Sequence, residues 1–105
     1  MEIIDVSKMA KRMEYIRTHL SERSIMEQLA EECAELSKAS LKTVRALGMS
    51  ENVTPTSGME ALNNLHEEMV DVLMVYFLYR GELPIMDMYA SPKWKRWGER
   101  LGYKE

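Results

Sequence analysis

Residues 24–47 read SIMEQLAEECAELSKASLKTVRAL. Ile25, Leu29, Cys33, Leu36 and Val44 recur at the spacing of one helix face. Ser24 and Glu27 form a capping-box pattern, in which a hydroxyl and a carboxylate each satisfy a free backbone donor at a helix start. Gly48 suits the left-handed stop that follows a last helical turn. Lys38, Lys42 and Arg45 gather towards that end, where the helix dipole favours cations. The stretch therefore predicts a helix from Ser24 to Leu47 with Cys33 as a small core residue. Within it stands an acidic cluster, Glu31-Glu32-x-x-Glu35, at the edge of the apolar stripe.

Working outward, residues 49–57 hold the turn formers Asn52, Pro55 and Ser57, and predict a loop. A second capping box, Ser57-x-x-Glu60, opens a helix that continues to Arg80 and stops at Gly81. From Met69 to Tyr79 its apolar residues lie nearly all round, which predicts enclosure on every side. A short domain cannot supply that cover alone, so the pattern predicts a homodimer or homotetramer. Upstream, Met9, Met13, Ile16 and Leu20 mark a first helix from Ser7, read as its cap, to Leu20. Downstream of Pro84 comes a short apolar piece, Ile85 to Tyr89. Ser91-Pro92 then starts a last helix, with proline at its first position. Trp97 and Leu101, four apart, are expected to dock this helix on the core. No strand alternation is present. The expected fold is all-α: one domain over residues 1–105, an antiparallel bundle of about four helices completed by oligomerisation.

Composition narrows the function. At 105 residues a chain buries only about two-thirds of its unfolded surface, which leaves room for an oligomer to add core. The net charge of −3 argues against broad nucleic-acid binding, which requires a basic face. A single cysteine excludes an internal disulfide and fits a reducing, cytoplasmic setting. The apolar run ending at Tyr79 contains Asp71 and is too short to span a bilayer, so no membrane partner is expected. Ten methionines fit irregularly packed helices and adaptable interfaces.

A second acidic cluster, Glu68-x-x-Asp71, lies among Leu65, Val72 and Val75. Residues three and four apart share a helix face, so each cluster points one way. A lone Glu-x-x-Glu is common on solvated helices. Two clusters, each set in an apolar stripe, are costly unless something positive compensates them. If the two helices pack on these faces, their carboxylates converge, and an all-oxygen set favours a hard cation such as Mg²⁺ or Mn²⁺. A di-iron bundle requires Glu-x-x-His pairs. His66 follows Asn63 and His19 follows Ile16, so that pattern fails.

These clusters resemble the paired motif of MazG-like nucleotide pyrophosphohydrolases, in the all-α NTP pyrophosphatase superfamily with dimeric dUTPases, dCTPases and phosphoribosyl-ATP pyrophosphohydrolases. Residues 27–39 and 61–75 carry the likeness most clearly. Asn52-Val53-Thr54-Pro55-Thr56, Glu60-Ala61-Leu62-Asn63-Asn64-Leu65 and the closing Lys93-x-x-Arg96-Trp97-x-x-Arg100-Leu101 extend it across most of residues 20–101. The long gap between the acidic halves departs from the family pattern and leaves the role of the 49–57 loop open.

The resemblance implies Mg²⁺-dependent cleavage of a nucleoside triphosphate between its α and β phosphates, giving a monophosphate and pyrophosphate. It implies that Glu32, Glu35, Glu68 and Asp71 ligate the metal. Glu31 would be a more distant ligand, or one to a second metal, that orients the attacking water. Glu31 and Glu35 are thus the candidate catalytic carboxylates. Lys38, Lys42, Lys93 and Arg96 are expected to hold phosphate, and Trp94 to stack on a base. Met13, Ile16 and Arg17 are further candidates to line the base pocket. The competing reading is a noncatalytic helical module that senses a nucleotide or binds a partner on the same scaffold.

Overall fold

The computed structural model describes residues 4–104. Five helices follow one another: α1 (Val6–His19), α2 (Glu22–Ala46), α3 (Gly58–Arg80), α4 (Ile85–Tyr89) and α5 (Pro92–Arg100). No strand occurs among the described residues. Four helices match the expected elements, and the short apolar piece after Pro84 adds α4. Among the described residues no helix is long and apolar enough to cross a membrane.

An antiparallel α2–α3 pair forms the centre. At one end the Tyr79 hydroxyl, late in α3, donates to Glu22 at the start of α2 (2.6 Å). At the other end the Thr43 hydroxyl, late in α2, donates to the Ala39 carbonyl (2.8 Å) and reaches that of Ala61, early in α3 (3.4 Å). Ala39 and Ala61 are 3% and 1% exposed. Side chains this small let the two backbones approach closely, since interaxial distance follows the residues at the contact. Ile25, 6% exposed, is the only large apolar side chain among the described residues to be buried. Leu29 and Leu36 are half-buried, whereas Cys33 and Val44 are exposed. The expected stripe is therefore only partly covered, and Cys33 is not a core residue here.

Caps account for the helix bounds, and two differ from expectation. Asp5 rather than Ser7 caps α1, accepting from the Lys8 amide (3.0 Å). Ser21 rather than Ser24 caps α2, accepting from the Ser24 amide (3.1 Å), while Glu27 instead pairs with Arg23 (2.8 Å). Both displaced residues fall inside the first turn because an oxygen side chain two positions earlier in α1, and three earlier in α2, takes the free amide. Ser57 caps α3 as expected, and Ser91 caps α5 with Pro92 at its first position. Gly48 closes α2 with φ +72°. Its amide bonds to the Arg45 carbonyl and that of Met49 to Val44, the paired bonds of a Schellman stop.

α1 leans on α3. The Arg17 guanidinium donates to the Leu78 carbonyl (2.9 Å), one of those left without an amide partner in the last turn of α3. Its charge also meets the negative end of the helix dipole. Arg17, one of the candidates to line a base pocket, is thus engaged with the α3 backbone. Met9, Met13, Ile16 and Leu20 share an apolar groove with Met74 and Phe77 of α3.

α4 and α5 pack against none of the three longer helices. The Trp94 indole donates to the Met88 carbonyl (2.6 Å), tying α5 to α4, and stacks in parallel with Trp97 at 6.4 Å. Trp97 and Leu101 are 50% and 80% exposed. The expected docking of α5 through these two residues does not occur within the chain.

Candidate metal and phosphate site

Antiparallel pairing brings the middle of α2 against the middle of α3, so the two acidic clusters meet. Carboxylate oxygens of Glu32, Glu68 and Asp71 lie within 4.8 Å of one another, and all three residues are half-buried. Gln28, one turn earlier on α2, donates to Glu32 (2.7 Å) and fixes its orientation. No basic side chain among the described residues pairs with any of the three. Glu68 is held above the usual carboxylate range, first by partial burial and then by the charges of Asp71, Glu35, Glu32 and Glu67.

Oxygens on opposite sides of an octahedral Mg²⁺ stand about 4 Å apart, because each ligand lies about 2.1 Å from the ion. Three ligands of one ion include at most one opposite pair, adjacent oxygens standing about 3 Å apart, so the carboxylates would have to draw closer together to share it. Mg²⁺ also keeps several waters and takes few protein ligands, which suits an open triad better than a closed cage. The donor set therefore fits a hard divalent cation on chemistry.

Glu35 lies beside the triad rather than in it. It is exposed, approaches Lys38 at 3.6 Å, and shares a cavity of about 460 Å³ with Glu68. Lys38, Lys42 and Arg45 supply one wall of that cavity, with Asn64 of α3 and Val53, Thr54 and Pro55 of the connecting loop. The loop is pinned locally: the Thr54 hydroxyl bonds to that of Thr56 (3.4 Å), and Ser50 accepts from the Asn52 amide (3.2 Å). Glu35 and Glu68 thus face one space with Lys38, Lys42 and Arg45.

Of the residues singled out from sequence, the structure brings together Glu32, Glu68 and Asp71, with Glu35, Lys38 and Lys42 adjoining them. Glu31 is exposed and stays outside the group. Lys93 and Arg96 line a different depression with Glu99 and Arg100, and Trp94 lines a third with Met88 and Trp97. Within one chain neither depression shares a residue with the acidic cavity. Arg45 and Asn64 were not singled out for ligand binding, although their spacing carried a signal. Arg45 continues the Lys38–Lys42 face, and Asn64 stands one turn before Glu68. Thr54 had no comparable signal, since a loop residue has no periodicity to place it.

In comparisons with family profiles, curated proteins and solved structures, the chain finds no match.

Proposed function

We propose that the chain is a nucleoside triphosphate pyrophosphohydrolase of the MazG-like kind, working with Mg²⁺ or Mn²⁺. The observation that carries this reading is the convergence of Glu32, Glu68 and Asp71 on one point, beside a cavity walled by Lys38, Lys42 and Arg45. A phosphoanhydride is protected kinetically by its own negative charge. A divalent cation, when bound, would neutralise part of that charge and make a bound water more acidic.

The chain's own residues divide the remaining work. Glu32, Glu68 and Asp71 supply oxygen ligands, with Gln28 holding Glu32 in place. Lys38, Lys42 and Arg45 neutralise the phosphates and align the chain for displacement at the α phosphorus. Glu35 faces the same cavity and takes the proton of the attacking water as that oxygen bonds to phosphorus. The bridging oxygen leaves with its electron pair on pyrophosphate. Asn64 and Thr54 offer neutral hydrogen-bonding groups to the nucleoside.

A panel of ribo- and deoxyribonucleoside triphosphates, assayed for pyrophosphate with and without Mg²⁺, tests the reading. Metal-dependent release from at least one nucleotide is expected. Thermal stabilisation by Mg²⁺ plus nucleotide without product would instead identify a noncatalytic sensor.

A further inference from the structure

Three cations line the cavity beside the acidic triad, and they are not equivalent. Lys38, Lys42 and Arg45 follow one another at intervals of four and three residues, so they form one stripe along the second half of α2. The helix dipole accounts for cations near this end, but not for their sharing one side. Lys38 approaches Glu35 at 3.6 Å, whereas Lys42 and Arg45 enter no ion pair among the described residues. Around the same space of about 460 Å³ stand Asn64, Glu68 and the loop residues Val53, Thr54 and Pro55. The far end of that loop is seated against α2: a Cβ added at Gly58 would lie 2.9 Å from Leu47 Cδ2. None of the lining residues is aromatic, so a base finds no ring to stack on there. A ligand rich in charged oxygens finds two unpaired cations, a hydroxyl and an amide.

We propose that the unit this cavity recognises is a diphosphate gripped by Lys42 and Arg45, and that free pyrophosphate is therefore a ligand in its own right. Residues three apart on a helix hold their Cβ atoms about 5–6 Å from each other. Two long cationic side chains so placed can converge on the adjacent phosphoryl groups of one ligand, each through charge-assisted hydrogen bonds. A single phosphate satisfies only one of them. This assignment stands on geometry and charge alone. Its consequence for turnover rests on the pyrophosphohydrolase reading. The monophosphate product keeps no diphosphate and leaves first. Pyrophosphate stays behind and competes with the next substrate, which places the slow step at product release.

Calorimetric titration of the full-length protein with pyrophosphate, inorganic phosphate and nucleoside monophosphates, each with and without Mg²⁺, reads binding without turnover. Pyrophosphate should bind at least about tenfold more tightly than either of the others, the scale of one hydrogen-bonded charge. Lys42→Ala and Arg45→Ala should each weaken pyrophosphate about tenfold or more, with helicity unchanged because both side chains are exposed. Lys95→Ala removes a cation that pairs with Glu99 on α5 and should leave the affinity within about twofold. In turnover assays pyrophosphate should inhibit competitively against any nucleotide that is hydrolysed, and Arg45→Ala should raise its inhibition constant. Phosphate or a monophosphate binding as tightly as pyrophosphate overturns the proposal. So does pyrophosphate binding that neither cavity variant weakens, or that Lys95→Ala weakens equally. A protein that hydrolyses nucleotides yet binds no pyrophosphate overturns it too. Pyrophosphate binding in a protein that releases none from any nucleotide upholds the diphosphate assignment and removes the pyrophosphohydrolase reading instead.

Discussion

Ionising Glu68 adds a negative charge beside Asp71, Glu35, Glu32 and Glu67. Its carboxyl therefore titrates above the ordinary value of 4.5 in the folded chain. A raised carboxyl means that the native state holds the proton more tightly than the unfolded chain does. Its stabilising contribution is present below the unfolded value and is lost as pH rises through the folded one. Metal-free protein should accordingly lose melting temperature from this residue on passing upward from about pH 4.5. Cation binding needs the ionised form, so stabilisation by Mg²⁺ should grow over the same interval. Glu68→Gln should flatten the metal-free trend and abolish the Mg²⁺ shift. Thermal melts against pH, with and without the cation, check both; a Gln variant that keeps the full Mg²⁺ shift removes Glu68 from the ligand set. Glu35 is separable from this test because it lies outside the triad. Glu35→Gln should reduce pyrophosphate release about 10²–10⁴-fold, the range for loss of a general base, while Mg²⁺ stabilisation persists.

Helix elements obey their sequence signals where a signal is local and unrivalled, and depart where two residues compete. Ser57 has no rival and caps α3. Ser24 has Ser21 three positions before it, and the earlier hydroxyl takes the amide. Ser21→Ala should then cost about 1 kcal/mol in urea unfolding and Ser24→Ala distinctly less. Equal losses would restore the later cap. Apolar stripes were legible as to which helices pack, but not as to how completely. Periodicity marks a face fit for burial, and whether anything covers it depends on partners outside the helix. Hence Cys33 and Val44 lie open on a correctly placed α2. The residues that do set the α2–α3 distance, Ala39 and Ala61, are small and weakly hydrophobic, so the stripe does not announce them. Ala61→Leu forces a branched side chain into a contact with 1% exposure and should cost about 1–3 kcal/mol, measured by the same unfolding curves. A neutral result would mean that the two helices have room to part.

At the scale of the whole molecule, the candidate site divides in two. Its acidic half was legible because both clusters sit on long helices whose antiparallel pairing leaves one register for them to meet. The basic half drawn from α5 was legible as residue types, but not as a position, since α5 makes no contact with the three longer helices. The pyrophosphohydrolase reading and the separation of α5 from the acidic cavity together predict that a complete site takes Glu35 from one bundle and Arg96 from the arm of another chain. Each of Glu35→Gln and Arg96→Ala should then be nearly inactive alone. Mixed in equal amounts through a dissociation step, half of the dimers become heterodimers under random pairing in a two-fold assembly. In each heterodimer one site has lost both side chains and the other has kept both. The mixture should thus recover about a quarter of wild-type turnover. Recovery should require the exchange step, because preformed homodimers hold no intact site. If Arg96 served the bundle of its own chain, every site in the mixture would lack one side chain and turnover would stay at the level of the separate variants.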